Sequence, residues 1–191
     1  ERAEEILLDE RLIRTLDFCK TDGGFLVTDY TGNYRYHVLD AHGQIKESVG
    51  SIPTEKVVAD DGRMALAQAW RSFMDYNPEN GVLAMVTQLV FSVSGSEAIS
   101  RGIKGFNEVV VTDSCICAVF DGTTFEERVR AFRSDKELPD GGQSVYVFGL
   151  EGNPLKKMKL DHSVFGLSIS KEGLYATSTD TDCPVIRICR F

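Results

Sequence analysis

Apolar and polar positions alternate along most of this chain in short runs rich in Val, Ile, Phe, Tyr and Thr, separated by clusters of Gly, Asp and Asn. A period of two puts successive side chains on opposite faces of a pleated backbone, so each run predicts a β-strand and each cluster a turn. Helical spacing is scarce. The segment "RMALAQAWRSFM" (63–74) holds helix-favouring Ala, Leu, Met and Gln, yet it fills the slot where the repeats described next place an inner strand. Near the N-terminus, "ERAEEILLDERLIRTLDF" predicts a helical turn leading into a strand.

The strands recur in a set order. "IRTLDFCKTDGGFLVTDY" (13–30), "VFGLSISKEGLYATSTD" (164–180) and, more loosely, "IKGFNEVVVTDSCICAVFDG" (103–122) each read as an apolar strand, a polar turn and a second strand. In the first two, Gly23-Gly24 and Glu172-Gly173 occupy the bend, where a positive φ is needed and glycine reaches it without a Cβ clash. A third strand follows each ("YRYHVLD", "PVIRICRF", "QSVYVFGL"), and a turn with a fourth strand follows two of them ("AHGQIKESVG", "EGNPLKKMKLD"). This order is the meander of a propeller blade. It predicts an all-β β-propeller built from four-stranded antiparallel blades, as a single domain over 1–191.

The spacing has one anomaly. Second strands beginning at Phe25, Val82, Cys115 and Leu174 lie 57, 33 and 59 residues apart, whereas a propeller repeat runs roughly 40–50. The middle interval has no room for the outer two strands of its blade. Either that blade is abbreviated, or residues intervene near Leu89 and Val90 in the intact polypeptide. The second reading is favoured, because an internally shortened blade leaves apolar faces and strand edges exposed.

"FLVTDYTGNYRYHVLDAHGQIKESVG", "SVYVFGLEGNPLKKMKLDHSVFGLSIS" and "GLYATSTDTDCPVIRICRF" resemble the TolB-like six-bladed β-propellers found among exported proteins and lipoproteins of certain Gram-negative bacteria. The shared feature is a D-x-x-G turn between outer strands, met by Asp40-Ala41-His42-Gly43 and approximated by Leu150-Glu151-Gly152. The resemblance implies a six-bladed ring once intervening residues are restored. It also implies export to the periplasm or outer membrane, with any lipid anchor lying outside these residues. It carries no catalytic residues over.

A formal net charge of −8 argues against nucleic acid or anionic lipid as a partner, since neither attracts a surplus of carboxylates. Lys156, Lys157 and Lys159 form a local exception, read more simply as lysines that keep an edge strand soluble. No apolar run approaches the roughly 20 residues of a membrane-spanning helix. Cys19, Cys115, Cys117, Cys183 and Cys189 are odd in number and include no CxxC pair, so zinc and redox motifs are missing; a disulfide remains open if the compartment is oxidising. Cys115 and Cys117 fall on one strand face, where buried small hydrophobes are expected.

Candidate chemistry is sparse. Asp29, Asp75, Asp113, Asp180 and Asp182 sit near strand ends and would form an oxygen site for a divalent metal such as calcium if their loops converged. The competing reading, an acid bonding its own turn backbone, is the commoner one. His37, His42 and His162 stand without converging partners, and neither "FSVSGSEA" nor "SDKELPDGGQS" matches a nucleophile elbow or a phosphate loop. Trp70, Tyr30 and Tyr76 lie beside polar turns and are candidates for stacking on a glycan or anchoring a peptide or protein, against a core role for each.

Two functional readings follow. The favoured one is a non-enzymatic propeller of the cell envelope that binds a protein, peptide or glycan. The alternative is a metal-assisted hydrolase or lyase acting on a small ester, lactone or sugar, which requires Asp29, Asp75, Asp113 and Asp180 to converge.

Overall fold

A computed structural model describes residues 5–13, 15–29, 34–52, 70–90, 102–136, 138, 141–178 and 185–189. Its first sheet is a four-stranded antiparallel meander of β1 (Thr15–Thr21), β2 (Gly24–Asp29), β3 (Tyr34–Asp40) and β4 (Ile45–Ser51). A second sheet pairs β5 (Ser72–Asn77) with β6 (Val82–Thr87), and the two-residue strands β7 (Leu89–Val90) and β8 (Ile103–Lys104) pair beside it. The third sheet holds β9 (Phe106–Val111), β10 (Ile116–Phe120), β11 (Gly142–Phe148) and β12 (Pro154–Val164), and the fourth holds β13 (Leu167–Ser170), β14 (Gly173–Ser178) and β15 (Val185–Cys189).

These strands form where the alternation predicts them. The second strands start at Gly24, Val82, Ile116 and Gly173, each within one residue of its expected place. Gly24 shows why the bend needs glycine: its φ is +151°, and a Cβ there would collide with the Leu39 carbonyl oxygen of β3. Gly173 has the same φ at the matching bend of the fourth sheet. In the D-x-x-G turn, Asp40 Oδ1 accepts the His42 and Gln44 amides at 2.8 and 3.0 Å, and Gly43 takes a φ of +80°.

Sheets stack through their broad faces, first strand against first strand: β1 lies against β5, β5 against β9 and β9 against β13. Each junction has its own core. Cys19, Leu26 and Met74 join the first and second sheets, with Tyr36, Val38 and Tyr76 packed around them. Ala84, Val109, Val111 and Ala118 join the second and third. Cys117, Val119, Val145, Leu174 and Ala176 join the third and fourth. A sheet buried on both faces explains why β10 reads "ICAVF" with no polar alternate.

The helical turn expected at the start of the chain falls partly on residues 1–4, outside the described residues; within 5–13 a single turn is closed by the Leu12 amide on the Asp9 carbonyl at 2.9 Å, and the segment is tied to the first sheet where the Asp9 amide meets the Gly43 carbonyl at 2.9 Å. Among the described residues a helix lies between β10 and β11, as α1 (Phe125–Arg133), started by a capping box in which Thr124 and Glu127 bond each other's amides. The ambiguous stretch at 63–74 is a strand from Ser72 onward, and residues 63–69 lie outside the described residues. Among the described residues the second sheet has two strands, and the chain continues through Gln88, whose carbonyl accepts the Gly105 amide just before β9.

Candidate functional site

The first strand of a sheet has one unpaired edge, and its amides need acceptors. Carboxylates from the preceding sheet supply them. Asp17 Oδ2 on β1 accepts the Met74 amide of β5 at 2.8 Å, and Asp75 Oδ2 on β5 accepts the Val111 amide of β9 at 2.7 Å. Glu108 adds a third acid on β9, bonded to the Val109 amide at 3.0 Å. Burial pushes the Asp17 and Glu108 carboxyls above their ordinary values, against the amides they accept, with repulsion from nearby acids adding to the rise.

At the hairpin end of these strands, side chains lace the second and third sheets together. Asn77 Nδ2 donates to Asp113 Oδ1 at 3.1 Å, and Asn80 Nδ2 donates to the Thr112 carbonyl at 3.0 Å. Beside this lacing a groove of about 620 Å³ opens between the third and fourth sheets. Val111, Val147, Met158 and Ile169 give it an apolar floor, and Lys156, Ser170, Lys171 and the Asn77-bound Asp113 carboxylate give it a polar rim. Lys156 projects from β12, which pairs only with β11 and is the outer edge of its sheet. Among the described residues neither Lys156 nor Lys171 is in an ion pair.

Cys115 and Cys117 also line this groove, with their Sγ atoms 3.9 Å apart. Cys117 lies on β10 and Cys115 ends the turn before it, where the Thr112 hydroxyl accepts the Cys115 amide at 3.0 Å and lies 3.3 Å from Cys115 Sγ. Burial, reinforced by Cys115, pushes the Cys117 thiol up to about 12. Cys115 is only half-buried.

A second cavity, of about 430 Å³, lies between α1 and the turn at 121–123. Its inner wall is Asp121, whose fully buried carboxylate holds Lys104 Nζ at 3.0 Å and Arg128 Nη2 at 3.2 Å. With the Thr123 amide and Asn107 Nδ2 also donating to it, Asp121 fastens α1 to the third sheet and has little capacity left for a ligand.

The residues singled out in the sequence are dispersed. Trp70 is half-buried beneath the Arg35 guanidinium, 5.3 Å from the ring centroid, and Arg35 donates to Thr87 Oγ1 at 2.8 Å. Tyr76 packs at the junction of the first two sheets. Asp29 is buried at the end of β2, Asp75 caps β9, and Asp113 accepts from Asn77. Among the described residues no three of His, Cys, Asp and Glu form a group that could hold a metal, so Asp29, Asp75 and Asp113 do not gather into one. Tyr30, Asp180 and Asp182 lie outside the described residues. His37 is buried, its Nδ1 2.8 Å from Ser48 Oγ, and burial lowers its pKa. The groove itself went unforeseen, although the one-face placement of Cys115 and Cys117 marked its floor.

Meander sheets stacked first strand to first strand define a propeller-like all-β fold. The model of the TolB-like 6-blade propeller-like family matches residues 1–94 and 89–172, and the chain belongs to that family. Among solved structures, the crystal structure of the computationally designed Ika4 protein superposes with a TM-score of 0.53 at 8% identity, over 98% of this chain and 99% of that one, a likeness of fold alone. No curated protein sequence matches.

Proposed function

We propose that the chain is a non-enzymatic binding propeller of the bacterial cell envelope, and that the groove between its third and fourth sheets seats a carboxylate-bearing peptide or protein segment. The observation that carries this reading is the pairing of an apolar floor with Lys156 and Lys171 in a chain whose formal net charge is −8. Against an acidic background two unpaired lysines attract carboxylates locally, and the floor takes the apolar side chains between them. Family membership supports the propeller-type binding role, and the envelope address extends it.

The test is fluorescence anisotropy with two labelled extended peptides of matched apolar content, one carrying Asp and Glu, the other carrying Lys in their place. The acidic peptide should bind saturably, and Lys156→Glu with Lys171→Glu should weaken it by about tenfold or more, equivalent to ~1.4 kcal/mol. Equal binding of both peptides, or indifference to the charge reversal, would count against the groove. Cell fractionation with an antibody to the chain tests the address.

A further inference from the structure

We infer that Cys115 and Cys117 form a binding site for a single soft monovalent cation, Cu(I), at the floor of the groove. Two thiolates sharing one metal at about 2.3 Å per bond stand roughly 3.8–4.0 Å apart in tetrahedral or trigonal geometry. The two Sγ atoms are already 3.9 Å apart. No strand has to move to bring them together.

The geometry disfavours a disulfide. Residues two apart along extended backbone have Cβ atoms separated by about two rises, roughly 6.6 Å, whereas a disulfide needs about 3.5–4.5 Å. The pair therefore stays reduced while its sulfurs lean toward a common point. Soft thiolate ligands select Cu(I) or zinc among common metals. Structural zinc takes four ligands, and among the described residues Cys115 and Cys117 have no third His, Cys, Asp or Glu to complete such a set. Cu(I) is satisfied by two or three soft ligands, the third coming from an external thiol entering through the groove.

The surroundings suit the charge of the complex. Two thiolates and one Cu(I) carry a net charge of −1, and the same cavity is lined by Lys156 and Lys171 against one carboxylate, Asp113, which accepts from Asn77. Lys156 shares a cross-strand row with Cys117, since Cys117 pairs with Val147 and Val147 with Lys156. The Thr112 hydroxyl lies 3.3 Å from Cys115 Sγ and donates to the Cys115 carbonyl at 2.9 Å, so its single proton would turn from that carbonyl to a thiolate when the metal binds. This inference is independent of what the rim of the groove binds.

The test offers the reduced full chain Cu(I) held by a coloured chelator, with ascorbate present and a small monothiol at a level that alone leaves the chelator loaded. The native chain should withdraw one equivalent, Cys115→Ser and Cys117→Ala should each lose that uptake, and Cys19→Ser should retain it. X-ray absorption at the copper edge of the loaded native chain should show sulfur neighbours only, a measurement that stands even if Cys117→Ala folds poorly. No uptake, full uptake in either groove variant, or nitrogen and oxygen neighbours would each overturn the site.

Discussion

Asp17 and Met74, 57 positions apart in the chain, meet in one hydrogen bond of 2.8 Å from the Met74 amide to Asp17 Oδ2. Asp75 and Val111 repeat it one sheet further on at 2.7 Å. A strand-edge amide that would otherwise need water is thereby satisfied by the neighbouring sheet, and the same contact ties one sheet to the next.

Removing such a cap should be costly in proportion to the amide it leaves unpaired. Asp75→Ala should destabilise the chain by about 1–3 kcal/mol, seen as a lower urea midpoint. Asp75→Asn keeps a carbonyl acceptor and should lose less than half as much. Equal losses in both variants would mean that the charge matters and the cap does not.

The pH dependence has a definite sign. Burial raises the Glu108 and Asp17 carboxyls, so the folded chain holds their protons more tightly than the unfolded chain does, and stability falls as pH climbs from the unfolded value near 4 through the folded one. Glu108→Gln removes its share of this loss. Relative to the native chain, the variant should therefore gain stability between about pH 4 and pH 7 in urea titrations. A difference that is constant across that range would refute the assignment.

Thiol reactivity should follow exposure. Burial holds the Cys19 and Cys117 thiols up at about 12, whereas Cys115 is half-buried at the groove. Brief iodoacetamide treatment near neutral pH, read by peptide mass spectrometry, should modify Cys115 well before either of the other two. Cys117 reacting first would contradict the closed junction between the third and fourth sheets.

Asp121 should be the most sensitive single acid. Asp121→Ala strips the buried carboxylate from Lys104 and Arg128 and should cost about 3 kcal/mol. Thr124→Ala, which loses only the cap of α1, should cost about 1 kcal/mol. Calorimetric melting compares the two directly, and the reverse order would show that α1 is held by its cap rather than by Asp121.

A fragment mass tests the second blade. The two matched family segments meet at 89–94, and among the described residues only the two-residue strands β7 and β8 lie between β6 and β9. Residues intervening near Leu89 and Val90 should add to the mass of the proteolytic fragment that runs from Arg71 to Arg101 in the native protein. A fragment of the mass that this sequence gives would leave the blade abbreviated.

Local signals made the strands legible: the alternation in "YRYHVLD", the glycines at 24 and 173, the Asp40 turn. The one described helix was missed for an equally local reason. Its Thr124-x-x-Glu127 box follows an apolar strand directly, and its exposed Phe132 blurs the polar face. The site was harder, because its contacts join distant positions. Asp75 reads in sequence as a metal ligand or a turn former, whereas the partner the fold gives it is an amide 36 residues away. Lys156 and Lys171 share a groove only because β12 and the β13–β14 turn belong to adjacent sheets.

The carboxylate caps run one way, from β1 to β5 and from β5 to β9, and never back among the described residues. The first and second sheets thus each offer a plug forward, and the second and third each a socket behind. Copying the second sheet whole in the gene would leave each plug matched, while cutting within it would strand one. For that sheet, a change in length is least disruptive in a whole step.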